Sequence, residues 1–253
     1  MRRTMLEQIS APGAIRVEFQ PIVSVDGDHT RLYAYEALAR GPRNTSMERP
    51  DVMFEYARRK SVEDQIDLIC IREVLTAAAT LPHEPSISIN VHGSTLTNVP
   101  DFADTLLGLA EDNDIEPARL MLEIVEHRAP WSMDILRATL DELRACGVRI
   151  ALDDLGVAAS NYRMIVDCRP DHLKIDRYVV SGCSSDPYRL AVLRSIVTLA
   201  QACNATPIAE GVEERADLDV ILELGITKFQ GWIFGRSKPA SDIAMNHERE
   251  WNQ

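Results

Sequence analysis

The sequence predicts one α/β domain built as a modified TIM (β/α)8 barrel with an antiparallel strand near the N-terminus. Three observations carry that prediction. Eight short β-rich runs lie between Val17 and Gly231, and most are joined by helical patterns. The first two are joined by a turn alone. No linker, low-complexity tract or internal repeat divides the chain. A doubly wound sheet shows the same alternation, but eight strands in this length favour a closed barrel.

The runs 17–23 and 32–38 are separated by the turn sequence Asp26-Gly27-Asp28. So short a connection fits an antiparallel pair and leaves no room for a helical crossover, which makes the first strand irregular. From Glu63 to Thr80 the residues Ile66, Ile69, Val74, Leu75 and Ala78 recur at helical spacing. A strand over 86–91 follows, then a helix over 102–111 and a strand over 120–125. The next helix starts at Ser132, a suitable N-cap, carries Leu136, Leu140 and Leu143, and stops at Gly147. A strand over 149–153, a short helix over 160–166 and a strand over 172–175 come next. Asp186-Pro187 opens a long amphipathic helix carrying Leu190, Leu193, Ile196, Val197 and Ala200, which leads into a strand over 206–210. The last helix, 215–223, ends at Gly225 before the strand 228–231.

Hydrophobic residues are 45% and charged residues 26% of 253, the balance of a folded globular protein. Disordered, collagen-like and repeat-fibre classes are excluded. No run approaches the roughly 18 apolar residues that span a membrane. The opening MRRTMLEQISAPG lacks the apolar stretch of a secretory signal. Cys70, Cys146, Cys168, Cys183 and Cys203 show no CxxC spacing and read as reduced thiols of a cytoplasmic protein. The net charge of -12 argues against extended nucleic acid as a partner. A small anionic ligand then needs positive charge supplied locally. Residues 1–13 read as a leader segment, 14–240 as the barrel domain and 241–253 as a peripheral tail.

Barrel enzymes place their chemistry at the C-terminal ends of strands. Those ends carry Glu36, Asn90, Glu123, Asp153 with Asp154, Lys174, Glu210 and Gln230. Any one carboxylate at such a position is commonly a helix N-cap or a solvated loop residue. Several on one mouth repel and raise one another's pKa unless cations neutralise them. Oxygen donors without histidine suit Mg2+ or Mn2+ better than zinc. The adjacent Asp153-Asp154 pair suits bridging of two ions, the arrangement that activates water against a phosphodiester. Lys174 is placed to hold that water or to stabilise phosphate charge.

The motifs FQPI, EALAR, SINV, LEIVE, IALDD, LKID, AEGVE and QGWIFG occur in this order from Val17 to Pro239. In these motifs the chain resembles the EAL domain family of cyclic di-GMP phosphodiesterases. The resemblance implies hydrolysis of cyclic di-GMP to the linear dinucleotide pGpG by a water activated by two metal ions. It implies that Glu36, Asn90, Glu123 and Asp153 hold the first ion, and that Asp153, Asp154 and Glu210 hold the second. Lys174 matches the lysine that orients the water, and Glu210 also matches a base. Gln20, Leu38, Arg40, Glu213 and Gln230 match positions that contact the dinucleotide or support the site. Arg40 would supply local positive charge for phosphate. A homodimer and a regulatory protein partner are implied as well, with no membrane contact in this chain.

One stretch departs from the family. After the paired aspartates the family usually continues FGTGYSSL, where this chain has Leu155-Gly156-Val157-Ala158-Ala159-Ser160-Asn161-Tyr162. The change removes a glycine and several hydroxyls that anchor the loop. Glu126, which matches the glutamate that holds it, is present, and Ser237 replaces a usual proline. The alternative is therefore a weak or inactive EAL domain that acts as a cyclic di-GMP receptor or protein-interaction module. An enolase-like barrel is a more distant reading, because it needs a capping domain before the barrel. His92 and His127 read as local hydrogen-bonding residues, Arg58-Arg59-Lys60 as a solvated helix face, and Trp232 as core or rim packing in preference to stacking on a base.

Overall fold

The computed structural model describes residues 4–27, 29–82, 85–125, 132–157 and 161–244. Its strands are β1 (Arg16–Asp26), β2 (His29–Arg40), β3 (Ser86–His92), β4 (Leu120–Val125), β5 (Arg149–Leu155), β6 (His172–Ile175), β7 (Thr206–Ala209) and β8 (Lys228–Gln230). They close in that order into one barrel, the predicted modified TIM architecture. β1 runs antiparallel to both neighbours, β2 and β8. Every other pairing is parallel. The turn at Gly27, with φ +58, reverses the chain within a few residues, so β2 returns alongside β1 without a helix between them. Later connections carry helices and restore the parallel rhythm.

The helices Glu63–Ala78, Phe102–Glu111, Met133–Ala145, Asn161–Cys168, Pro187–Cys203 and Arg215–Glu223 pack outside the barrel where apolar spacing places them. Pro50–Lys60, whose buried Met53 and Ala57 recur at helical spacing, is a helix the sequence reading leaves unassigned, and Gly93–Asn98 and Arg177–Val180 are too short to show such spacing. Gly93–Asn98 is made mostly of poor helix formers and is tethered by Thr95, whose hydroxyl donates to Asp67 at 2.5 Å. Near the N-terminus, Met5–Ile9 is closed by a reciprocal capping box between Thr4 and Glu7. It buries Ile9 with Ile15, Met53 and Ile66. The helix Ala240–Ala244 likewise buries Ile243 against the main core. Among the described residues no helix is long and apolar enough to cross a membrane.

Side-chain alternation sorts the barrel interior into layers. Ile22, Ala34, Met121, Ala151 and Ile208 form the apolar middle. Two residues toward the mouth on the same strands stand Gln20, Glu36, Glu123, Asp153 and Glu210. The floor is basic. The β1–β2 register skips Tyr33, since Ile22 pairs with Ala34 and Val23 with Leu32, and this bulge sends the Tyr33 ring inward. Tyr33 Oη accepts from Arg149 at 3.0 Å and lies 2.7 Å from His172 Nε2, while Lys228 Nζ sits 4.6 Å from its ring centroid.

Burial and the neighbouring Arg149 guanidinium push His172 down to about 4 from an ordinary 6.5. The folded state therefore keeps His172 neutral while the unfolded chain protonates below pH 6.5. Stability from this residue is present above pH 6.5 and is lost as pH falls toward 4. Urea unfolding at pH 7 and pH 5 should show a loss of about 2 kcal/mol that is absent from His172→Gln. Equal pH slopes in the two proteins would reject a neutral, buried His172.

Candidate active site

Four acids from four strands converge on one ammonium group. Lys174 Nζ lies 2.6 Å from both Glu123 and Glu210, 3.4 Å from Glu36 and 3.5 Å from Asp153. Lys174 is 1% exposed and Glu123 fully buried, so water screens little of this cluster. Burial disfavours the charged form of Lys174, but the surrounding carboxylates outweigh it and hold the ammonium charged well above its usual range. Burial raises Glu123 to about 8, with the charge of Glu36 adding to it and Lys174 opposing. Glu210 is raised well above the carboxylate range for the same first reason. Glu36 goes the other way. Burial opposes its charge, yet Lys174 and two amide donors, Gln230 at 2.6 Å and Asn90 at 3.0 Å, keep its carboxyl below the usual range.

The strand termini explain why these side chains meet. Asn90 and Glu123 are direct register partners, as are Gln20 and Glu36. Asp153 continues the inward row of β5. Asp154 would point outward in a regular strand, but its φ of +56 and a register shift between Leu152 and Leu155 turn the chain there. Asp154 consequently stays exposed and forms no ion pair with Lys174 among the described residues. Desolvation and the charges of Asp153 and Asp176 raise it to about 6.

The predicted substrate positions fall in three places. Gln20 and Gln230 stand side by side at 3.3 Å beneath Glu36. Leu38 and Arg40 line a cavity of about 450 Å3 with Glu36, Asn90 and Asp153, closed outwardly by the helices Pro50–Lys60 and Glu63–Ala78. The Arg40 guanidinium is engaged by Glu18 at 3.1 Å, and Ser237 donates to the same Glu18 oxygen at 2.8 Å. Glu213 lies apart from this cavity and pairs with Arg177 at 3.0 Å. Glu126 and His127 lie outside the described residues, as do Ala158, Ala159 and Ser160 of the altered loop.

Two supports lie outside the predicted site residues: Ser88, the first residue of SINV, and Asp67, which no motif contains. Ser88 donates to Glu123 from a fully buried position; its place two residues before Asn90 on β3 is the signal that it faces inward. Asp67 sits among Ile66, Cys70, Ile71 and Val74 on the buried face of its helix. A carboxylate on an apolar stripe demands donors. It receives the backbone N–H of His92 at 2.9 Å and lies 2.9 Å from its Nδ1, which gives His92 the local role expected of it. Burial raises the Cys183 thiol to about 11, so it is not activated.

The donors Glu36, Asn90, Glu123, Asp153, Asp154 and Glu210 offer oxygen throughout, a set that fits a hard divalent cation. Oδ1 of Asp153 and Oε1 of Glu210 are buried without a hydrogen-bond donor. Glu210 Oε1 meets Lys174 at ion-pair distance, but off the hydrogen-bonding direction. Among the described residues no three acidic, histidine or cysteine side chains are arranged around an ion as they stand. The oxygens of four acids close on Lys174 instead, and with Asp154 the mouth sets one ammonium against five carboxylates.

The EAL domain family model matches residues 3–237. The chain is 28% identical over 243 residues to the probable cyclic di-GMP phosphodiesterase PdeA of Escherichia coli (strain K12), covering 95% of this chain and 32% of that protein. It thus spans about a third of the length of that curated relative. Among solved structures, the PaMucR phosphodiesterase in complex with c-di-GMP superposes with a TM-score of 0.82 at 25% identity, covering 94% of this chain and 97% of that one. Klebsiella pneumoniae BlrP1, in a calcium and cy-diGMP complex, gives a TM-score of 0.80 at 25% identity over 95% of this chain and 59% of that one.

Removing the ammonium tests the electrostatic account. Lys174→Met should lose about 3–5 kcal/mol of stability in EDTA at pH 8, because it leaves buried carboxylates uncompensated. Chemical denaturation measures this. A loss within experimental error would show that the acids do not depend on Lys174.

Proposed function

The chain belongs to the EAL domain family, and from that premise we propose that it hydrolyses one phosphodiester of cyclic di-GMP to give pGpG. The observation that supports this most directly is the shell of strand-end acids around Lys174, opening on a cavity large enough for a guanosine half. Relatives that act on or bind cyclic di-GMP agree with it. The reading places the protein in the cytoplasm as a homodimer, open to a regulatory protein partner.

Glu36, Asn90, Glu123, Asp153, Asp154 and Glu210 would hold two Mg2+ or Mn2+ ions. When bound, such ions supply Lewis acidity toward water and the phosphate oxygens. Lys174 donates its N–H bonds to the attacking water and offsets the negative charge that gathers at phosphorus. Glu210 accepts the water's proton; burial raises its carboxyl, which makes its ionised form a stronger base. Gln230 and Asn90 fix the Glu36 carboxylate by donating to both its oxygens. Gln20, Leu38, Arg40 and Glu213 position the dinucleotide, with Arg40 already oriented by Glu18.

Incubation with cyclic di-GMP and Mg2+ or Mn2+, with chromatography of the products, tests the reading. pGpG should form, and Ca2+ should support it poorly because its looser coordination misplaces the water. Glu36→Ala and Asp153→Ala should abolish turnover with an unchanged circular dichroism spectrum. Retention of half the wild-type rate by either variant would reject the site. Binding of cyclic di-GMP without product would instead assign a receptor.

The altered loop motivates that second reading. Val157 stands where the family has threonine and is 57% exposed. If the loop orders Asp154, restoring the family sequence (Leu155→Phe, Val157→Thr, Ala158→Gly, Ala159→Tyr) should raise kcat more than it tightens Kd. An unchanged kcat in a folded variant would show that the loop does not limit the reaction.

A further inference from the structure

Above β6, β7 and β8 the lip of the barrel carries an indole flanked by two guanidinium groups. Trp232 is 50% exposed, although it is the largest apolar side chain on that rim. Arg236 stacks on it with its guanidinium 4.0 Å from a ring centroid, and Arg177 stands off at 5.7 Å. Arg177 is held at 3.0 Å by Glu213. Among the described residues Arg236 has no carboxylate at ion-pair distance, so its charge is not cancelled locally.

The backbone beneath is built to hold this arrangement. A Cβ on Gly211, whose φ is +65, would overlap the stem of Arg177, so the bare glycine lets that side chain cross the end of β7. Gly231 likewise leaves no room for a side chain against Val212. Val212 donates to Gln230 O at 3.1 Å and accepts from Ile233 N–H at 3.4 Å, which pins the segment bearing Trp232. The lip also continues directly into the site. Glu36 accepts from Gln230, Gln230 donates to Gln20 at 3.3 Å, and Gln20 donates to Gly235 O at 3.3 Å, one residue before Arg236.

We propose that Trp232 and Arg236 form a nucleotide-binding platform, on which the indole stacks against one guanine of the dinucleotide and Arg236 faces its phosphate. The inference rests on the cyclic di-GMP reading and extends it to residues outside the acidic shell. Every base offers a π-face, and an exposed indole with an attached cation binds such a face while supplying charge for phosphate. The need for that charge is clear. The mouth holds five carboxylates, and the Arg40 guanidinium is already engaged by Glu18.

Steady-state kinetics with cyclic di-GMP and Mg2+ on the full chain test the platform. Trp232→Ala and Arg236→Gln should each raise KM about tenfold, as expected for loss of one stacked base, with kcat changed by less than about twofold. Trp232→Phe should restore KM, since a phenyl ring still stacks. Cyclic di-GMP should quench a component of the tryptophan emission that Trp232→Phe lacks. If wild type binds and cleaves the dinucleotide while KM and the quench are unaffected by these substitutions, the platform is wrong and the proposed function stands. If wild type neither binds nor cleaves it, both fall.

Discussion

A buried ammonium in a barrel is tolerable only with anions around it, and buried carboxylates are tolerable only with a cation or a proton. Lys174 and its four acid neighbours satisfy each other in that way, and most of the site follows from it. One positive charge does not balance five carboxylates. Burial first, and that surplus second, raise Glu123 to about 8 and Asp154 to about 6. Divalent cations would relieve the same surplus without protons, so ion binding and carboxylate ionisation are linked at this mouth.

The barrel interior is polarised along its axis. Arg149, Lys228 and the neutral His172 gather round Tyr33 on the floor, and acids gather round Lys174 at the mouth. The apolar layer of Ile22, Ala34, Met121, Ala151 and Ile208 separates them. Because each strand advances two residues per layer, one residue of slippage in any strand would exchange a polar mouth residue for an outward core residue. The floor thereby contributes to function indirectly, by pinning the register through Tyr33 and its hydrogen bonds.

The mouth divides by origin. β2, β3, β4 and β5 supply Glu36, Asn90, Glu123, Asp153, Asp154 and the cavity wall, whereas the ends of β6, β7 and β8 supply Lys174, Glu210, Gln230 and a lip of arginines around Trp232. The antiparallel β1 inserts Gln20 between these halves and links them through Glu36, Gln230 and Gly235. On the proposed function, a substrate both anionic and aromatic would meet the acidic shell on one side and an indole with guanidinium groups on the other.

The barrel and its strand-end acids are legible in the sequence because both are written locally. Alternating apolar runs mark strands, helical spacing marks their crossovers, and a two-residue turn at Gly27 forces β1 to be antiparallel. The motifs around Glu36, Asn90, Glu123, Asp153, Lys174 and Glu210 carry their positions with them. Other features depend on distant partners. Gly93–Asn98 is a weak helix stabilised by what it packs on. Glu18 takes up Arg40, Arg177 takes up Glu213, and Asp67 binds His92 across 25 residues of sequence. Periodicity alone determines which residues face inward. Which charges then neutralise one another depends on interatomic distances, and those exist only once the barrel has closed.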